Sequence, residues 1–240
     1  MTEEDASSSG RILLKLSGEV MAGPAGHGVD PSTVRGIADA LVRLTEMGFS
    51  PGVVTGGGNF VRGSRLQGID RDTGDQMGML ATVINGLALR ESILSLDGKA
   101  VVLSALPVTG VVRVFSPGSA REYLQRGFIA IYTGGTGNTR LTTDTAAALR
   151  AVQTNCSRLL KGTKVDGIYD RDPAVHSDAK RFSSISFDDV LKRDLRVMDA
   201  AAVAICRDAG LPISVFDIRE PENIVNVCRD PAVGSMIGGD

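Results

Sequence analysis

The stretch Arg11-Ile-Leu-Leu-Lys-Leu16 decides the fold class, and Ser17-Gly18 follows it directly. A short apolar run that ends at a turn is typical of a strand buried in a parallel sheet. Lys15 is the exception in this run, because a lysine is costly to bury without a partner. Two interpretations stay open. Lys15 either reaches solvent from an edge strand, or places a cation at the carboxyl end of the strand, where it would neutralise a transferring phosphoryl group.

Strand and helix patterns alternate along the rest of the chain. Asp30-Pro31 predicts a helix start, since Asp is a favoured N-cap and Pro is favoured in the first turn, and Gly48 predicts its end. Further strands are predicted at 52–55, 99–106, 128–133, 158–162 and 212–217, and further helices at 75–96, 143–154 and 199–208. Strands separated by helices indicate parallel pairing, so we predict an α/β fold, a three-layer α/β/α sandwich around a mainly parallel sheet.

Composition and charge narrow the class of protein. The 240 residues are 42% hydrophobic and 22% charged, as in an ordinary soluble globular protein. Lys and Arg number 26 and Asp and Glu 28, a net charge of −2 that disfavours a nucleic-acid scaffold or an anionic-membrane binder. Residues 1–9 are predicted to form a flexible tail, and residues 10–240 a single domain.

The location of the protein is predicted from what the sequence lacks. The first ten residues have no apolar core and no run of 18 apolar residues occurs, so we expect neither a signal peptide nor a membrane span. The three cysteines are widely spaced and in no metal-ligand pattern, which favours reduced thiols. We therefore expect a cytoplasmic protein.

Two glycine-rich turns follow predicted strands. Gly56-Gly57-Gly58-Asn59 precedes the basic segment Arg62-Gly63-Ser64-Arg65. Glycines let backbone N–H groups approach an anion closely, and Arg62 could then bind phosphate with two hydrogen bonds. Gly134-Gly135-Thr136-Gly137-Asn138 leads to Thr142-Thr143-Asp144, which resembles a helix start able to hold phosphate. An ordinary tight turn and a simple helix cap remain the alternatives for these two segments.

A third polar segment, 161–173, contains two lysines, an aromatic residue and several aspartates. These groups could hold polyphosphate, a base and a ribose, although Asp-Gly and Asp-Pro also occur in ordinary loops. The sequence has no Walker-type loop, and neither glycine cluster completes G-x-G-x-x-G. The residues alone therefore indicate an α/β enzyme or binder for phosphorylated ligands.

The chain resembles the bacterial uridylate kinases, members of the amino acid kinase fold, from Arg11 onward. The most specific matches are Gly74-Asp-Gln-Met-Gly-Met-Leu-Ala-Thr82 and Arg196-Val-Met-Asp199. The other matching strings lie at 11–19, 56–59, 62–63, 135–138, 142–147 and 164–167. The resemblance implies transfer of the ATP γ-phosphoryl group to UMP in pyrimidine nucleotide biosynthesis, with Mg²⁺ as cofactor.

The resemblance also implies a role for each matching position. The implied catalytic residues are Lys15, Arg62 and Asp144, with Asp144 orienting Lys15 rather than acting as a strong base. The implied UMP-binding residues are Gly57, Asp75, Thr136, Gly137, Asn138, Thr139, Arg140, Leu141, Thr142 and Thr143. The implied ATP-binding residues are Lys15, Leu16, Ser17, Gly18, Gly58, Arg62, Thr163, Tyr169 and Asp172. The UMP site would belong mainly to the N-terminal part of the domain and the ATP site mainly to the C-terminal part.

Assembly and regulation also follow from the resemblance. Family members form hexamers and commonly respond to GTP and UTP, and the segment linked to GTP control matches Gly23, Pro24, Ala25, Gly26, His27 and Gly28. No Asp is assigned as a metal ligand. Thr139-Arg140-Leu141 departs from the family, which usually has Pro followed by two aromatic or apolar residues. The alternatives are a carboxylate or carbamate kinase of the same fold and a catalytically silent sensor of UMP or UTP.

Overall fold

The computed structural model describes residues 10–61, 67–195 and 197–238. The predicted flexible tail 1–9, Arg62, Gly63 and Arg196 lie outside the described residues. The strands are β1 (Arg11–Leu16), β2 (Ser50–Thr55), β3 (Ala100–Ser104), β4 (Arg113–Val114), β5 (Ile129–Thr133), β6 (Arg158–Thr163), β7 (Ile168–Tyr169), β8 (Arg181–Phe182), β9 (Ser184–Ile185), β10 (Ile213–Asp217) and β11 (Ser235–Ile237). The helices are α1 (Gly18–Met21), α2 (Pro31–Glu46), α3 (Arg71–Leu94), α4 (Pro117–Gln125), α5 (Thr143–Gln153), α6 (Phe187–Lys192), α7 (Ala200–Asp208) and α8 (Glu222–Arg229).

Nine of the described strands form one sheet in the order β4-β3-β5-β2-β1-β6-β10-β11-β9. Neighbouring strands are parallel except for β10 and β11, which are antiparallel. Strands β7 and β8 pair separately. Strand β1 lies between β2 and β6, and Lys15 pairs in register with Lys161 of β6. The edge-strand interpretation of Lys15 is therefore wrong, since its strand is central and the residue is only 7% exposed.

The two faces of β1 point into two separate apolar layers, because successive side chains of a strand alternate between faces. Leu13 packs in a core that includes residues of α4, α5 and α7. Ile12 and Leu14 pack in the other core with residues of α2, α3 and α8. Helices on both faces of a mainly parallel sheet confirm the predicted three-layer sandwich.

Helix boundaries follow the caps closely. The Asp30 carboxylate accepts a hydrogen bond from the Thr33 N–H at 2.8 Å, so α2 begins where Asp30-Pro31 predicted. Helix α3 begins four residues earlier than predicted, because Asp70 caps it by accepting from the N–H groups of Asp72 and Thr73. The early start places Asp75 in the second turn of the helix rather than at its beginning.

Helix α3 is long and apolar enough, by length and composition alone, to cross a membrane. It packs instead against α2 and against strands β3 and β5 of the sheet. Its outer side leaves three apolar residues partly exposed at helical spacing, Met77, Leu80 and Ile84. We interpret α3 as a core helix with one open apolar face.

Candidate active site

The predicted site residues gather at the carboxyl ends of the central strands, where parallel α/β sheets place their ligand sites. Three turns meet there: the turn after β1, the glycine turn after β2 and the glycine turn after β5. They enclose a cavity of about 480 Å³ against helix α3. Its lining includes Lys15, Ser17, Gly18, Gly57, Gly58, Asp75, Met79, Thr136, Asn138, Arg140, Leu141, Thr142 and Thr143.

Close backbone packing explains why glycines occupy the turn after β2, the first glycine turn. A Cβ atom on Gly57 would lie 2.5 Å from the Gly78 carbonyl oxygen, and one on Gly56 would lie 2.6 Å from the Gly18 nitrogen. Buried Asn59 and Asn85 exchange two side-chain hydrogen bonds, and the Asn85 amide also donates to the Gly56 carbonyl at 2.6 Å. The turn is therefore held rigidly against α3, with Gly57 and Gly58 lining the cavity.

The second glycine turn, which follows β5, is held by hydrogen bonds to the same helix. Gly134 and Gly135 have φ values of 74° and 59°, a left-handed conformation that favours glycine. The Gly134 N–H donates to the Thr82 hydroxyl at 2.7 Å, and that hydroxyl donates to the Met79 carbonyl at 2.6 Å. Helix α3 thus anchors both glycine turns from one side.

The segment that departs from the family pattern is attached to the beginning of α3. The Arg140 N–H donates to the Asp75 carboxylate at 2.8 Å, and the Arg140 guanidinium makes two hydrogen bonds to Asp72, at 2.9 and 3.3 Å. Arg140 has a φ of 66°, which is uncommon for a residue with a side chain. The segment therefore lies beside Asp75 at the cavity mouth, held by an exposed ion pair.

Two lysines share one carboxylate at the floor of the site. Lys15 Nζ lies 2.8 Å and Lys161 Nζ 2.5 Å from the same oxygen, Oδ1 of Asp144. All three side chains are at least 85% buried. The lysines come from neighbouring strands at the same register, and Asp144 comes from the first turn of α5. The cluster carries one net positive charge in a largely water-excluded place.

Burial and the neighbouring charges shift the pKa values of this cluster. Burial opposes ionisation of Asp144, but the two ammonium groups outweigh it and hold the pKa of the carboxyl below its usual value. Burial, together with the charge of Lys15, lowers the pKa of Lys161 to about 8 despite the attraction of Asp144. The Asp144 carboxylate is therefore a poor proton acceptor and acts as a charge partner of the lysines.

A second cavity, of about 520 Å³, lies on the other side of the lysines. Lys15, Thr142 and Thr143 line both cavities, whereas Asp144 and Lys161 line only the second. Asp199 also lines the second cavity, where its carboxylate accepts hydrogen bonds from the hydroxyls of Thr142 and Thr145. Lys15 is therefore in contact with two adjoining ligand-sized spaces.

A third cavity, of about 530 Å³, adjoins the second along residues 194, 195 and 197. It is lined by Thr163, Tyr169 and Asp172, the three residues that the resemblance assigned to the ATP base and ribose. The Tyr169 hydroxyl donates to Asp166 at 2.8 Å, which orients the ring at the cavity wall.

Some predicted positions lie away from these spaces. Gly23, Pro24, Ala25, Gly26, His27 and Gly28 are absent from the described residues that line the first two cavities. Gly28 instead exchanges hydrogen bonds with Asn59, beneath the first glycine turn. Leu16, Gly137 and Thr139 are likewise not among the described lining residues of those cavities, and the side chain of Leu16 is fully buried. Arg62 lies outside the described residues.

Two residues of the site received no individual role in the sequence analysis. Lys161 belongs to the segment 161–173, whose lysines could hold polyphosphate, but its place beside Asp144 was not predicted, although Arg158-Leu-Leu-Lys repeats the apolar-then-lysine pattern of β1. Asp199 was matched only as part of a motif, yet it caps α7 and ties that helix to the hydroxyls at the start of α5.

This fold and this site define a class of α/β proteins with glycine turns and paired lysines at the carboxyl ends of the central strands, an arrangement suited to phosphorylated ligands, and the sequence has no Walker-type loop. Residues 10–217 match the amino acid kinase family. The chain belongs to that family.

Named relatives agree with this membership. The chain is 45% identical to a uridylate kinase of Psychrobacter sp. (strain PRwf-1) over 95% of each chain. It is 44% identical to a uridylate kinase of Xanthomonas oryzae pv. oryzae, over 95% of this chain and 96% of the relative. The solved structure of UMP kinase from Bacillus anthracis superposes with a TM-score of 0.92 at 33% identity, covering 96% of both chains. UMP kinase from Ureaplasma parvum gives 0.90 at 32% identity, over 96% of this chain and 99% of that structure.

Proposed function

We propose that this protein is a uridylate kinase, which transfers the γ-phosphoryl group of ATP to UMP and yields UDP and ADP. The observation that carries the proposal is that two ligand-sized cavities adjoin at Lys15, beside the shared Asp144 carboxylate. A kinase needs an acceptor space and a donor space that meet at a concentrated positive charge. The lysine cluster meets that requirement.

The cavity next to α3 is the acceptor site in this proposal. Asp75 accepts from the UMP ribose, and the segment from Thr136 to Thr143 surrounds the base and phosphate. Gly57 approaches the phosphate, and Arg62 binds phosphate at the reacting centre. The lining of this cavity and the open backbone of the two glycine turns support the assignment.

The second and third cavities form the donor site. The nucleoside of ATP lies by Thr163, Tyr169 and Asp172, and its phosphates extend past the lysines toward Ser17 and Gly18, which line the first cavity. The contiguity of these cavities along residues 194, 195 and 197 supports one extended ligand. The acceptor site thus belongs mainly to the N-terminal part of the domain and the donor site mainly to the C-terminal part.

The chemistry needs positioning and charge rather than a strong base. An oxygen of the UMP phosphate is already ionised, so it attacks the γ-phosphorus directly. The new P–O bond forms as the bond to the β,γ-bridging oxygen breaks, and ADP leaves with that electron pair. Lys15 and Lys161 stabilise the negative charge on the transferring group, and Asp144 keeps both ammonium groups in place.

Magnesium fits this donor site as an ion that arrives with ATP. The described residues contain no cluster of three or more metal-ligating side chains. One oxygen of the Asp144 carboxylate, Oδ1, contacts both lysines, and the Asp199 carboxylate accepts from two threonine hydroxyls and the Ala202 N–H. Magnesium typically keeps several waters and binds substrate phosphates, where it would neutralise charge on the β- and γ-phosphates.

We further propose a cytoplasmic homohexamer in pyrimidine nucleotide biosynthesis, with GTP and UTP as effectors and 23–28 as the GTP-linked segment. The open apolar face of α3, formed by Met77, Leu80 and Ile84, supports burial against another subunit. Light scattering on the purified protein should give six times the 25.1 kDa chain mass. A monomer at micromolar concentration would refute the assembly without affecting the reaction.

ADP release with Mg–ATP tests the reaction. UMP should be compared with CMP, GMP, AMP, glutamate, aspartate and carbamate as acceptors. Strong turnover with UMP alone supports the proposal. Turnover with an amino acid or carbamate would replace the substrate assignment within the same fold, and UMP or UTP binding without turnover would indicate a sensor.

A further inference from the structure

Arg150 is a buried cation behind the second glycine turn. It lies on α5 and is only 5% exposed. No carboxylate of the described residues lies within ion-pair distance of it, and its hydrogen bonds go to neutral oxygens. Burial lowers the pKa of Arg150, although a guanidinium stays protonated in proteins. A cation buried without a counter-charge is costly, so an ion pair does not account for this residue.

Three contacts fix the plane and direction of the guanidinium. Its carbon lies 4.0 Å from the centre of the Phe115 ring. One arm donates to the Gln153 side-chain oxygen at 2.7 Å, and the other donates to the Gly135 carbonyl at 3.3 Å. A planar group stacked on a ring has little rotational freedom, so the second arm stays aimed at the glycine turn.

This hydrogen bond sets the orientation of one peptide group that borders the acceptor cavity. In a trans peptide the C=O and N–H bonds point in opposite directions. Because the Gly135 carbonyl points toward Arg150, the Thr136 N–H points away from Arg150. Gly135 and Thr136 both line the acceptor cavity, and the Thr136 N–H donates to no acceptor within the described part of the chain.

We propose that Arg150 is a positioning residue for the acceptor nucleotide, holding the Gly135–Thr136 peptide so that its N–H donates to an oxygen of UMP. The inference rests on the proposed function, since it assigns UMP to this cavity. Arg150 touches no substrate itself. Its effect is confined to the acceptor side, because its turn borders the first cavity and not the second.

The test is the substitution Arg150→Met, which keeps an unbranched side chain but removes the charge and the donors. The KM for UMP should rise about tenfold, the effect of one lost hydrogen bond of ~1.4 kcal/mol. The KM for ATP and kcat should stay within about twofold. The melting temperature should change little, because removal of a buried cation that has no counter-charge offsets the loss of its two hydrogen bonds and its ring contact.

Arg121→Met is the matched control. Arg121 also donates to the end of α5, to the Gln153 carbonyl at 2.8 Å, but within the described part of the chain it makes no hydrogen bond to the glycine turn. It should leave both KM values unchanged. An unchanged UMP KM in Arg150→Met, or a parallel rise in both KM values with a lower melting temperature, would overturn the inference. Wild-type protein without UMP turnover would instead overturn the proposed function, and the inference with it.

Discussion

Replacing Asp144 by Asn tests whether one carboxylate holds the two lysines together. The amide has nearly the same shape as the carboxylate but removes the negative charge. Lys15 and Lys161, which lie 2.8 and 2.5 Å from the same oxygen, then face each other without a counter-ion. We expect loss of both stability and activity, with a characteristic dependence on pH.

The expected magnitude follows from the burial of the cluster. Removing one partner of a buried ion pair costs about 3–5 kcal/mol, so the free energy of unfolding should fall by about that amount at pH 7. The pKa of Lys161 is already lowered to about 8, and loss of Asp144 lowers it further. The folded variant therefore releases this proton while the unfolded chain still binds it. Stability should recover by about 1.4 kcal/mol per pH unit until the unfolded lysine titrates near its ordinary pKa.

The activity should fall for a separate reason. In the proposed reaction, Asp144 sets the positions of two ammonium groups at the transferring phosphoryl group, and loss of one preorganised electrostatic group costs about 10²–10³ in kcat. ADP release measures this loss. Urea unfolding followed by circular dichroism at pH 7 and pH 9 measures the stability, since the chain contains no Trp for fluorescence.

The double variant Asp144→Asn with Lys161→Met separates the two effects. It removes the second cation together with the carboxylate, so it should recover at least half of the lost stability and none of the lost kcat. The reasoning is refuted if Asp144→Asn is as stable as wild type at pH 7, or if the double variant is less stable than the single one.

Two further predictions concern pH and the cavity mouth. In the wild-type protein, kcat/KM for ATP should fall as pH rises through about 8, because Lys161 loses its charge. The free energy of unfolding should rise over the same range toward pH 10, because the folded state has released a proton that the unfolded chain retains. Rate and urea profiles that change in the same direction would contradict this. Asp72→Asn removes the exposed ion pair with Arg140 and should raise the KM for UMP about threefold at low salt. The difference from wild type should disappear at a salt concentration of about 0.5 M, because salt screens exposed ion pairs. A salt-independent difference would count against a role of the ion pair.

Local signals were sufficient for the central elements of the fold. Strand β1 and the start of α2 were predicted at their observed positions, because an apolar run and an Asp-Pro cap act within a few residues. Helices α4 and α8 were not predicted. Strands β9 and β11 were also missed, since segments of two or three residues carry no periodicity and are defined by their partners.

The candidate site was predictable in composition but not in arrangement. Lys15 and Asp144 were identified from an unusual lysine and a helix-start motif. That Lys161 lies beside them depends on β1 and β6 being neighbours, although Lys15 and Lys161 are 146 positions apart in the sequence. Contacts of the Arg140 segment with Asp72 and Asp75 likewise depend on tertiary structure, because the two segments are 65 or more positions apart.

Lys15 and Lys161 pair in register on adjacent strands, so the position of their charges does not depend on the loops that surround the cavities. The separation of adjacent strands, about 4.8 Å, sets the spacing of the two lysine backbones, and this distance varies little among protein sheets. In the proposed assignment, the acceptor nucleotide meets Asp75 of α3 and the segment 136–143, which lies outside the strands of the sheet, and loops tolerate substitution better than strands do. If the lysines act as proposed, substitutions in the loops can change the acceptor while the positive charge that stabilises the transferring group keeps its place in the sheet.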